Sequence, residues 1–257
     1  MIRALFQIVA VFGLATLSGC SEEGGREYSG SSVNAKSDGP EDKRIRELVS
    51  DSVSYMYELS LIRGHLWVAK RLSMANYLDH AVMHAKHPGD EIYSDLVEVF
   101  ELKGLKGFAA ELSTFSNSVV NGDKKAIEEN YQALLNSIEA SHDLKQLATR
   151  ELLELVNRLI SQAGREYAIG IIDGQVDNVH EYQDALGFIE VAIDLTRIYE
   201  QKIDLPDNHL VVIELLKNRL EELLEMWPSL VPIDQVPFDA SRLFGAAADV
   251  EILGLSL

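Results

Sequence analysis

The chain has 257 residues and a formal net charge of −18, from 41 Asp and Glu against 23 Lys and Arg. That much negative charge repels phosphate backbones and anionic lipid surfaces, so nucleic-acid binding is excluded as a function class. A single cysteine, Cys20, leaves no partner for an intramolecular disulfide, and the chain holds no Gly-rich phosphate loop and no Gly-x-Ser-x-Gly nucleophile motif.

The N-terminus reads MIRALFQIVAVFGLATLSGC: one basic residue (Arg3), an apolar run from Ala4 to Leu17, then small residues. This is the layout of an export signal, and the run is too short and poorly flanked for a spanning helix. Its ending, Leu17-Ser18-Gly19-Cys20, resembles the lipobox of bacterial lipoproteins. The resemblance implies cleavage before Cys20 and lipid on its sulfur. Anchoring by two or three acyl chains is stable where a single chain is marginal. Ser21 rather than Asp after the cysteine implies, by the same resemblance, the outer membrane facing the periplasm. Residues 1–19 are therefore read as signal peptide and 20–42 as lipidated cysteine and flexible linker, rich in Gly, Ser and charge.

Residues 43–257 read as one antiparallel bundle, all-α, of about seven or eight helices. Only six prolines occur in the chain, and the long intervals between them are rich in Leu, Ala, Glu and Ile. The first helical stretch is expected from near Glu41 into the seventies and onward until Pro88 stops or kinks it. Asp90 and Glu91 suit the first turn of the next helix. Gly104 and Gly107 punctuate the break before a helix over about 108–120. Asn121-Gly122-Asp123 reads as a C-cap followed by an N-cap, opening a helix to about Ala140. Further helices are expected over about 142–172 and 175–203, and then from Pro206 to before Pro228. The Pro228–Asp239 tail should run extended across the bundle, with a short helix near 241–252.

Three of the seven histidines, His80, His84 and His87, fall within eight residues and are followed by Glu91. On a continuous helix all four would lie within about a 60° arc. His84 and His87, one turn apart, can share an ion. His65 sits among Ile62, Leu66 and Val68, where a buried imidazole needs a partner. On the 175–203 helix, Asp177, Glu181 and Asp184 share an arc of about 80° with Phe188, Val191 and Leu195. That stripe turns apolar one turn on, so its acidic end also points inward. Glu166-Tyr167 repeats the Glu-Tyr pair of Glu181-Tyr182, and the tyrosine hydroxyls could act as supporting donors.

The candidate metal ligands are therefore His65, His84, His87 and Glu91 from one half, facing Glu166, Glu181 and Asp184 from the other. This is how helical bundles build inward-facing metal sites. With no thiolate in the mature domain, the candidate ions are Fe, Zn and Cu. His142 and His209, near expected helix starts, should be exposed. No residue is assigned a catalytic role, and the chain reads as a binding protein rather than an enzyme. The alternative is a structural lipoprotein that docks on an envelope protein partner without metal.

The segments GHLWVAKRLSMANYLDHAVMHAKHPGDEIY and EYAIGIIDGQVDNVHEYQDALGF resemble uncharacterised exported helical proteins. In general design these are similar to imelysin-like periplasmic proteins, helical bundles connected with iron handling. The His-x-x-Glu motif of that group is absent here, because four residues Pro88-Gly89-Asp90-Glu91 follow His87. No ligand is carried over from the resemblance.

Overall fold

A computed structural model describes residues 39–232 and 235–257, except the side chains of Asp90 and Glu91. The export signal, Cys20 and most of the linker lie outside the described residues. Among those described, the protein is all-α: ten α-helices, with one hairpin of two two-residue strands. Ten replaces the expected seven or eight because the first long predicted stretch is interrupted twice.

The first interruption separates α1 (Pro40–Ser50) from α2 (Ser52–Met74). Asp51 adopts an extended conformation between them, and its carboxylate accepts from the Val53 amide at 2.9 Å. An Asp side chain that caps the following turn competes with continuing the previous one. The second falls at Ala75–Tyr77. Asn76 takes a left-handed φ of 68°, while the Tyr77 and Asn76 amides return to the Leu72 and Ser73 carbonyls. This is a Schellman ending built on Asn instead of Gly. α3 (Leu78–His87) then follows.

Pro88 does not stop the chain. A π-helical turn, Pro88–Tyr93, carries α3 directly into α4 (Ser94–Lys103), so Asp90 and Glu91 do not open a new helix. Widening the helix by a residue accommodates a proline that has no amide hydrogen to donate. α5 (Ala109–Asn121) and α6 (Lys124–Glu139) meet at the expected caps: Gly122 has a φ of 69°, and Asp123 accepts from the Lys125 and Ala126 amides.

The second half comprises α7 (Thr149–Gly170), α8 (Val179–Glu200), α9 (Asp207–Leu223) and α10 (Ser241–Leu255). Between α7 and α8, strands β1 (Ile171–Ile172) and β2 (Gln175–Val176) pair antiparallel. Asp173 and Gly174 turn the hairpin with φ of 51° and 75°. Positive φ at both central residues is the requirement of the tight hairpin turn that Asp-Gly favours. Because α8 starts only at Val179, Asp177 lies outside the helix and is exposed; it does not extend the acidic stripe.

Two apolar clusters form the core. One gathers α1 to α6, and the other gathers α7 to α10 with Val53 and Met56 of α2. α2 and α8 run between them. Every residue of α8 from Tyr182 to Ile189 is buried, so this helix has no wet face there. The two central helices touch backbone to backbone at Gly64 and Gly187. A Cβ on Gly187 would stand 2.6 Å from the Gly64 carbonyl oxygen and 2.7 Å from Val68. Gly187→Ala is expected to destabilise the fold by about 1–3 kcal/mol, the usual cost of overpacking a closed contact. Chemical denaturation compared with wild type checks this, and an unchanged midpoint would show that the crossing can relax.

Candidate metal centre

The glycine crossing positions the site. With α2 and α8 so close, His65, next to Gly64, reaches Asp184, one turn before Gly187. Its Nδ1 lies 2.6 Å from Asp184 Oδ1, and its ring meets Phe188 edge-on at 5.4 Å between centroids. From α3, His84 places its own Nδ1 2.9 Å from the same carboxylate oxygen. His65, His84 and Asp184 are all buried, and one candidate ligand atom from each lies within 4.8 Å of the others.

The protonation of His84 follows from its neighbour. Gln183, fully buried, donates its amide NH₂ to the Leu230 carbonyl at 2.9 Å. This leaves the amide oxygen of Gln183 facing His84 Nε2 at 2.8 Å, so Nε2 must carry the hydrogen and donate. In a neutral imidazole, Nδ1 then holds a lone pair, and that lone pair points at a carboxylate oxygen. Two lone pairs facing each other at 2.9 Å require a positive centre between them, either a second proton on the ring or a metal ion. Burial alone would raise the pKa of Asp184. The adjoining imidazoles of His65 and His84 outweigh that by charge and hydrogen bonding, and hold it well below the carboxylate range.

The tail after α9 supplies the clamp. Trp227 donates its indole N–H to the Tyr182 carbonyl and Tyr182 its hydroxyl to the Ser229 carbonyl, both at 2.9 Å. These bonds hold Ser229 and Leu230 against α8, and so fix the Gln183 amide. The tyrosines therefore do not support ligands directly, as the sequence had suggested. Tyr182 secures the tail at Ser229, and Tyr167 donates to the Phe238 carbonyl at 3.2 Å.

The other expected ligands surround this trio. His87, half-buried at the end of α3, has its ring centroid 5.7 Å from that of His65. Glu166 of α7 and Glu181 of α8 form a carboxyl pair that hydrogen-bonds across the helices. Burial pushes the Glu181 pKa up to about 7, helped by that hydrogen bond and by the charges of Glu166 and Asp184. Such a pair holds one proton between two carboxyl groups. Gln162 donates to Glu166, and Asn178 donates to Glu181 at 3.3 Å. The side chain of Glu91 lies outside the described residues.

Two participants carried no sequence signal that was read. Gln183 acts through its amide oxygen on His84 Nε2 rather than as a metal-type ligand. His180 was passed over although it precedes Asp184 by one helical turn; its ring lies 5.5 Å from His84 and 5.4 Å from His80. Burial and then the neighbouring His84 and His80 lower its pKa, leaving it neutral at pH 7. His142 and His209 are half-buried rather than exposed. His142 bonds the Ile138 carbonyl at 2.9 Å and His209 bonds Thr149 Oγ1 at 2.7 Å.

Residues 141–241 match a family model described as an iron permease-associated 4-helix bundle domain. The match covers α7, α8, α9 and the tail, with Glu166, Glu181, Gln183 and Asp184; His65, His84 and His87 lie before it. Neither the curated proteins nor the solved structures contain a match to the chain.

The carboxyl pair sets a pH dependence. Glu181 has a higher pKa in the folded state than the ordinary 4.5. Its protonated form is therefore favoured by folding. The stabilisation is complete below the unfolded carboxyl range and is lost as pH rises through about 7. In metal-free buffer, the melting temperature of wild type should fall over that interval more steeply than that of Glu181→Gln. Parallel profiles would show that the two carboxyls do not share a proton.

Proposed function

We propose that this chain is a lipid-anchored protein of the bacterial envelope whose bundle core holds a divalent transition metal on His65, His84 and Asp184. The observation that carries the reading is the Gln183 lock on His84. A buried imidazole is fixed as an Nε2–H donor, and its Nδ1 lone pair is aimed at a carboxylate already approached by a second imidazole. Metal-binding histidines are held in this way, with the far ring nitrogen donating to an oxygen. Nitrogens and oxygens at 2.0–2.1 Å from an ion, at right angles, stand about 3 Å apart, so the 2.6 and 2.9 Å separations need only small adjustment.

Two imidazoles and one carboxylate suit Fe(II) and Zn(II). The printed description of the family matched by residues 141–241 names iron permease association, which favours iron as the ion. Bound there, the ion would supply a fixed positive charge with coordination positions beyond the three protein donors. The His87 ring lies 5.7 Å from that of His65, and the Glu181 carboxyl acts electrostatically on the same group of residues. The acidic surface favours cation approach. The anchor rests on the lipobox sequence at Cys20 and the charged, Gly- and Ser-rich linker after it.

A second reading also has an observation behind it. His65, His84, Gln183 and Asp184 already satisfy one another, so a proton in place of the ion gives a purely structural core and an interaction lipoprotein without metal.

Full-length protein in detergent separates the two. Elemental analysis should find about one equivalent of metal. Added Fe(II) or Zn(II) at a hundredfold excess over the dissociation constant should stabilise the fold by about 2.7 kcal/mol. His84→Ala and Asp184→Asn, folded by circular dichroism, should carry no metal as purified and should gain less stability than wild type from added ion. Metal-free wild type with an unshifted melting temperature would leave the structural reading. Independently, Cys20→Ser should move the protein from the membrane to the soluble fraction; unchanged fractionation would overturn the anchor.

A further inference from the structure

One pair of side chains stands outside the buried trio and is not needed to hold it. His80, in the first turn of α3, and His180, in the first turn of α8, bring their rings together from positions a hundred residues apart in sequence. His80 Nδ1 faces His180 Nε2 at 3.4 Å, with the ring planes 69° apart. That distance is beyond the 2.7–3.2 Å range in which an N–H donor bonds well. It matches the separation of about 3.3–3.4 Å that two nitrogens take around one ion at 2.0–2.1 Å in tetrahedral coordination.

The surroundings fit a site that exchanges its ion. Both rings are half-buried, in contrast to His84, and so keep access to solvent. His180 is held in place locally: the Asn178 side chain caps its amide at 3.1 Å. Inward from the pair the rings form a series, His80 to His180 at 5.4 Å, His180 to His84 at 5.5 Å, and His84 to His65 at 6.4 Å.

We propose that His80 and His180 form a second, outer site for a divalent transition metal, completed by solvent, from which the buried site is loaded. The outer site stands on its own geometry, while the transfer inward rests on the proposed binding at His65, His84 and Asp184. Two imidazoles without a carboxylate hold an ion more loosely than the inner set, as an entry site requires.

Co(II) is the probe, because its visible spectrum reports coordination while equilibrium dialysis counts ions. The full chain in detergent should bind two equivalents. His80→Ala/His180→Ala should bind one, and stopped-flow filling of that one should slow by about tenfold or more, the scale on which supporting groups act at metal centres. His84→Ala should also keep one equivalent, lost when the outer pair is removed as well. Circular dichroism and melting curves verify that each variant folds.

Retention of both equivalents by His80→Ala/His180→Ala overturns the outer site, and an unchanged filling rate overturns its role as the entry. A wild-type chain that binds one equivalent, removed by the outer double variant and untouched by His84→Ala, upholds the outer site and instead overturns the buried one.

Discussion

The second half of the molecule is organised around a buried carboxylate that cannot be left alone. Asp184 is 1 % exposed, in the one stretch of α8 with no wet face. Stripping an ionised carboxylate of water costs several kcal/mol even after the protein relaxes. That cost must be met by cations or donors brought from other helices. His65 from α2 and His84 from α3 meet it, and Gln183 on the adjacent position sets which nitrogen of His84 is available. A carboxylate that stays ionised in such a place has its stability tied to those two rings, and to whatever positive centre sits among them.

The surrounding structure serves that requirement. Imidazoles are short, so α2 and α8 must come within backbone contact for His65 to reach, and glycines on both helices at the crossing allow it. The Gln183 amide would be free to turn were it not bonded to the Leu230 carbonyl, which is held in turn by the Tyr182 and Trp227 bonds around Pro228. The proline-punctuated tail is thus a strap whose function is orientation. A change that loosened it, far from any ligand, would reach the site through the tautomer of one histidine.

Much of this could be read in the sequence, and the exceptions are instructive. The all-α architecture and the Asn121-Gly122-Asp123 junction follow from proline spacing and capping chemistry, which are local. Helical periodicity, the apolar setting of His65 and the repeated Glu-Tyr pair group His65, His84, His87, Glu91, Glu166, Glu181 and Asp184; all but Glu91, whose side chain lies outside the described residues, occupy one neighbourhood in the structure. The break at Asn76 was hidden because Asn gives a weaker ending signal than Gly. The π turn was hidden because Pro88 is usually a terminator, and the outcome depends on whether a wider turn can be packed. His180 shares a helical face with Asp184 and could have been found by the spacing that found Glu181. Gln183 could not, because its role depends on the carbonyl of Leu230, and no sequence pattern reports that contact.

The candidate ligands are divided between the two halves. The segment that matches a known bundle family supplies Asp184, the Glu166–Glu181 pair and the Gln183 lock, while His65 and His84 enter from α2 and α3, outside it. Alone, the carboxylates of α7 and α8 would reduce their mutual repulsion as Glu166 and Glu181 do, by keeping a proton. The histidine-bearing half changes the chemistry available, because two imidazoles let Asp184 remain charged beside a protonated pair. A buried anion and a stored proton one helical turn apart are a favourable setting for a cation to enter. Under the proposed reading, an arriving ion strengthens the field around Glu181 and favours release of the shared proton, so metal uptake and proton release are coupled through the same few residues.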